Sequence, residues 1–96
     1  MEYLAMIHNT DRGCAAHAER DAFYRAAKNS GMFRGGSAIG DLRMMLGQDA
    51  RAMIDGRAGG FMKFECDDVN SLVDLLKLHP VLIHGGTIEL VDCPKS

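Results

Sequence analysis

No run of lysine and arginine forms a basic stripe in this sequence, and no apolar stretch approaches the ~20 residues that a membrane-crossing helix requires. With a net charge of -2 and a pI near 6.0, the chain has no long-range attraction for phosphate backbones or anionic lipid. Neither nucleic acid nor a membrane is therefore expected as a partner. Cysteine is scarce and odd in number, with Cys14, Cys66 and Cys93 in well-separated segments, and the N-terminus lacks the basic start and apolar run of a signal peptide. A reducing, cytoplasmic setting is expected.

What is present suffices for one domain. The 96 residues are too few for two cores, and 47 % hydrophobic with 25 % charged residues is the balance of a folded globular chain. Residues 2 to 8 form a short apolar run before the turn-prone Asn9-Thr10-Asp11, which suits a buried strand with Tyr3, Ala5 and Ile7 on one face and Leu4, Met6 and His8 on the other. From Cys14 to Asn29 the spacing is helical, with Ala15, Ala18, Ala22, Phe23, Ala26 and Ala27 on one stripe and Gly31 placed as a left-handed C-cap.

Met32 to Ala38 is predicted as a strand, weakened but made approachable by Gly35 and Gly36. Residues 42–46 and 50–54 are predicted as the arms of a small hairpin, followed by a turn at Asp55-Gly56-Arg57. Phe61 to Cys66 alternates Met62, Phe64 and Cys66 against Phe61, Lys63 and Glu65. Asp67 or Asp68 caps a helix carrying Val69, Leu72, Val73 and Leu76, and Pro80 ends it near Leu78. Thr87 to Val91 closes the order as a strand, with Ile88 and Leu90 opposite Thr87, Glu89 and Val91.

This order predicts an α+β fold of ferredoxin-like, split βαβ type, an antiparallel sheet with two helices on one face. With the helices on one face, the doubly apolar first strand together with Phe61 and Val91 would leave an exposed apolar patch on the other, and such a patch marks an association surface. A two-fold homodimer packed through the open sheet face is expected.

Several short pieces together resemble one family: Met1-Glu2-Tyr3-Leu4, Phe23, Gly31, the Asp55-Gly56 turn, Gly59-Gly60-Phe61, His79-Pro80 and Gly85-Gly86-Thr87-Ile88-Glu89. The chain resembles the YCII-related, or DGPF-domain, proteins over nearly its whole length. That resemblance implies a dimeric α+β barrel built from ferredoxin-like subunits. The family's signature is reduced here to Asp55-Gly56-Arg57-Ala58. Relatives also carry a histidine in the first helix and an aspartate before the proline after the second helix, proposed as an acid-base dyad. Here the corresponding positions are Arg20, with His17 one turn earlier, and His79, so the resemblance transfers no dyad.

Of the residues that could carry chemistry, the histidines come first, because imidazole alone has an ordinary pKa near neutrality. His8, at the end of the first strand, is expected near a cleft between sheet and helices. His17 and His79 are the other candidate acid-base groups, each with a bland alternative: a solvated His17, and a His79 that caps a helix C-terminus. His84 ranks below them. Arg34 and Arg43 flank the glycine-rich strand and would fork onto a substrate carboxylate, with Ser37 beside them. Gly35-Gly36-Ser37-Ala38-Ile39-Gly40 lacks both the lysine and the following helix of a phosphate loop.

Cys14 and His17 have metal-like spacing, with His8 upstream, but no second closely spaced ligand pair accompanies them, so no metal site is expected. No cofactor is expected either. Two readings stay open. One is a lyase or isomerase acting on a small anionic molecule with a histidine as acid-base. The other is a non-catalytic dimeric module that binds a ligand or a protein.

Overall fold

The computed structural model describes residues 1–9, 17–40, 42, 44, 46–47 and 58–94, with the side chain of His17 excepted. Seven elements follow in order: β1 (Glu2–His8), α1 (His17–Asn29), β2 (Phe33–Ala38), β3 (Ala58–Glu65), α2 (Val69–Leu76), α3 (Pro80–Ile83) and β4 (Thr87–Cys93). The strands form one four-stranded sheet in the order β2-β3-β1-β4, with every neighbouring pair antiparallel. This is the ferredoxin-like α+β architecture. Most of the hairpin predicted over 42–54 and all of the Asp55-Gly56-Arg57 turn lie outside the described residues, as do Cys14 and Arg43.

Two-residue alternation sets the faces of the sheet. Ala5 pairs with Met62 and Leu90, and Tyr3 pairs with Phe64, so these side chains share the face turned to the helices. Leu4 pairs with Lys63 and Val91, and Met6 with Phe61 and Glu89, on the opposite face. The core is Ala5, Ile7, Met62 and Phe64 of the sheet against Phe23 and Ala27 of α1, Leu72, Leu75 and Leu76 of α2, and Val81 of α3.

Both helices bury narrower stripes than their spacing suggests. On α1 only Phe23 and Ala27 are buried, and Ala18 and Ala22 face solvent, because alanine adds too little apolar area to pull that side of the helix inward. On α2 the buried stripe is Leu72, Leu75 and Leu76, while Val69 is exposed. The helix begins at Asp68, whose carboxylate accepts from the Asn70 amide at 3.0 Å and from Ser71 Oγ at 3.2 Å. Gly31 follows α1 with φ +77°, the left-handed conformation expected of it.

One element departs from the sequence expectation. The chain does not run as a loop from the end of α2 to Gly85: Pro80–Ile83 form the short helix α3, and His79 is its N-cap. Proline at the first helical position costs nothing, since its missing N–H would have no intrahelical partner. No helix among the described residues is long and apolar enough to cross a membrane.

Candidate functional site

A cavity of about 200 Å³ opens on the helix side of the sheet, where α1 and α3 stand over the junction of β1, β2 and β3. Four consecutive-turn positions of α1 reach this region in two rows. Glu19 lies one turn before Phe23, and Arg20 lies one turn before Tyr24. Arg20, Phe23 and Tyr24 line the cavity, and Glu19 binds His84 at its edge. The opposite wall includes small residues, Ala38 of β2 with Gly59 and Gly60 of β3. A Cβ at Gly59 would meet the side-chain amide of Asn9, which also borders the cavity and would have to turn aside.

His79 and His84 bracket α3 and both line the cavity. The Nδ1 of His79 accepts a hydrogen bond from the Val81 amide at 3.0 Å. Its ring also packs against Phe23, with centroids 4.5 Å apart and planes tilted by 57°. Burial lowers the His79 pKa from its ordinary value of 6.5, because a desolvated imidazolium is disfavoured. His79 is therefore neutral at pH 7, and with Nδ1 accepting, its proton sits on Nε2. The residue expected to cap the end of a helix instead starts one, and its ring is a hydrogen-bond donor with its lone pair already used.

This geometry sets a pH dependence. The unfolded chain binds a proton at His79 more readily than the folded chain does, so the stability due to the neutral ring is fully present above pH 6.5 and is lost as pH falls through the lowered folded value. Asparagine keeps an N-cap acceptor but does not titrate. In His79→Asn, the loss of thermal stability between pH 7 and pH 5 is expected to be smaller than in the parent; an unchanged slope would assign that dependence to other groups.

His84 is held differently. Its Nε2 lies 3.1 Å from Glu19 Oε2 and 3.3 Å from Oε1. An ionised carboxylate only accepts, so Nε2–H donates, and in the neutral ring the basic lone pair is on Nδ1. Both partners are about two-thirds shielded from solvent, with side-chain exposures of 36 % and 37 %. Arg20 also stands at the cavity, and among the described residues no hydrogen bond or ion pair occupies its guanidinium.

The sequence-predicted residues are dispersed. His79 and Ser37 border the cavity. The Ser37 hydroxyl donates to the Ala38 carbonyl at 2.9 Å, and register groups Ser37 with Phe61 and Met6 on the open face. His8 does not stand at the sheet–helix cleft. It ends β1 on the other face, with Nε2 3.3 Å from Glu89 Oε1, because its even position follows Leu4 and Met6. Arg34 is engaged away from the cavity, donating to the Gly31 carbonyl at 2.8 Å and the Phe33 carbonyl at 3.1 Å, with Glu65 Oε2 at 3.7 Å. Arg43 and the His17 side chain lie outside the described residues. Among the described residues no cluster of three or more His, Cys, Asp or Glu side chains is arranged to hold a metal ion.

No family model matches the sequence, and no curated protein matches it. Among solved structures, the chain is similar to 5-chloro-2-hydroxyhydroquinone dehydrochlorinase from Burkholderia phenoliruptrix, in complex with 2,5-dihydroxybenzoquinone. The TM-score is 0.54 at 14 % identity, covering 100 % of this chain and 96 % of that chain, a likeness of fold.

Proposed function

We propose that the chain is an enzyme of lyase or isomerase type that moves a proton on a small anionic molecule bound in the α1–α3 cavity. The observation that carries this reading is the carboxylate-held imidazole at the cavity edge, Glu19 with His84 at 3.1 Å. Glu19 fixes the tautomer, His84 Nδ1 takes the proton and returns it, and Glu19 stabilises the imidazolium in between. His79, a neutral donor, polarises the carbonyl or hydroxyl oxygen on which negative charge develops, a role that needs a proton on Nε2 and no free lone pair. A proton transfer of this kind asks for no redox partner. The fold neighbour's name and ligand support the reading, because dehydrochlorination is an elimination from a small oxygenated ring. Membership of the YCII-related family belongs to the same proposal.

The test is a panel of chlorinated hydroxyhydroquinones and enolisable ring carboxylates incubated with the protein in deuterated water, read for chloride release and for solvent deuterium in the recovered compound. Catalysed elimination or exchange with any member supports the assignment. If no member reacts above the protein-free rate, the proposal is refuted in favour of the non-catalytic module.

We further propose that two copies associate through the open sheet face in a reducing, cytoplasmic setting. Leu4, Met6 and Phe61 are half-buried there and Val91 is 39 % exposed, an apolar strip edged by Lys63 and Glu89. A charge in the middle of that strip would be desolvated without a partner on dimerisation. Leu4→Glu is expected to turn a dimer into a folded monomer at micromolar concentration, read by equilibrium sedimentation. A wild-type monomer under those conditions would refute the association.

A further inference from the structure

Arg20 is the cation that the sequence pattern passes over, and its surroundings define what it would hold. A guanidinium stays charged at any physiological pH and presents its donors in a plane that matches a carboxylate or a delocalised enolate. Arg34 spends its donors on backbone carbonyls. Arg20, which lines the cavity, has no such engagement among the described residues. The nearby carboxylate of Glu19 is directed to His84. One committed anion and one uncommitted cation leave the site short of a single negative charge, and a second charge on a ligand would face Glu19.

The cavity walls limit the shape of the ligand as well as its charge. On one side stand Phe23 and Tyr24 of α1, and on the other the sheet, where Ala38, Gly59 and Gly60 leave room beside the larger Ile7, Phe61 and Met62. A volume of about 200 Å³ suits one substituted ring. Aromatic side chains on the helix side and short side chains on part of the sheet side favour a flat body.

Taking the cavity as the functional site, as proposed above, we infer that it selects flat organic monoanions, an aromatic carboxylate or a ring enolate, with the charge on Arg20 and the ring against the Ala38–Gly59–Gly60 wall. Benzoate and benzamide test the charge, since they share shape and differ in ionisation, and cyclohexanecarboxylate tests the flatness. In calorimetric or NMR titrations, benzoate is expected to bind at least about tenfold more tightly than benzamide, the scale of one charge-assisted hydrogen bond. Arg20→Gln should erase that difference. Lys28→Gln removes the same charge from an exposed position in the last turn of α1 and should preserve it.

Equal affinity of the two probes, no binding of benzoate at millimolar concentration, or equal effects of the two substitutions would overturn the inference. Cyclohexanecarboxylate binding as tightly as benzoate would overturn its planar part. Benzoate binding is read without turnover. Selective binding with no reactive panel compound would leave the anion site standing and remove the enzyme, whereas turnover of a neutral compound alone would do the opposite.

Discussion

Replacing His84 by glutamine is expected to lower turnover by about a hundredfold to ten-thousandfold, the usual contribution of a positioned general base. The substituted side chain still fills space at the end of α3 and still offers a donor to Glu19, but it has no nitrogen that can take a proton near neutrality. The fold should survive, because the His84 side chain is partly exposed and is not a member of the core. Two readouts separate this loss from a structural one. Thermal unfolding should move little, and the limb of the pH–rate profile that reports protonation of the base should vanish. Glu19→Gln should reduce the same rate by a smaller factor, since the imidazole remains but its tautomer is no longer imposed. Activity of His84→Gln close to that of the parent would transfer the base role to another residue and dissolve the argument built on Glu19.

The largest effect on stability is expected at Phe64. Its side chain is fully buried near the C-terminal end of β3, its strand neighbours are Tyr3 and Phe33, and its ring centroid is 5.7 Å from that of Phe33. Phe64→Ala removes the transfer energy of the ring and leaves a cavity between the sheet and the helices, a loss of about 3–5 kcal/mol. A domain of this size has a total stability on the order of 5–15 kcal/mol, so the variant would be partly unfolded or close to it at physiological temperature. Leu72→Ala, also fully buried, should cost about 2–5 kcal/mol. The matching control is Leu78→Ala, at 61 % exposure, which should stay within about 0.5 kcal/mol. Urea unfolding compares all three; a Phe64→Ala midpoint near that of Leu78→Ala would mean that the sheet–helix interface is not the core.

Local periodicity made much of this fold legible. Alternation in β3 and β4 separated the side chains into the faces they occupy, whereas β1, apolar on both faces, did not show which side the helices cover and left His8 expected at the cleft; Asp68 and Gly31 marked helix ends through backbone requirements that few other residues meet. The helix α3 was legible in principle, because His79-Pro80 is an N-cap followed by proline at the first helical position. Reading that proline only as the stop of α2 hides the helix it starts. The site was much less legible. Glu19 and His84 are 65 residues apart, and nothing in either neighbourhood points to the other. Arg34 and Arg43 draw attention through adjacent glycines, but a glycine-rich strand also frees carbonyls nearby, and Arg34 is consumed by them. Arg20 matters for the opposite reason, that its helix holds it at a cavity without giving it a partner among the described residues.

The cavity wall and the proposed association strip lie back to back on the same strands, divided by a period of two. Even positions of β1, Lys63 of β3 and odd positions of β4 belong to the strip, Phe61 borders both the strip and the cavity, and the intervening positions, with Gly59 at the irregular end of β3, belong to the core and the cavity. The two properties are therefore separately mutable. A library that varies Leu4, Met6, Lys63 and Val91 would explore new assemblies around an unaltered pocket. Insertion of one residue within β3 would exchange both roles at once, so length changes in this strand should be purged where substitutions are accepted.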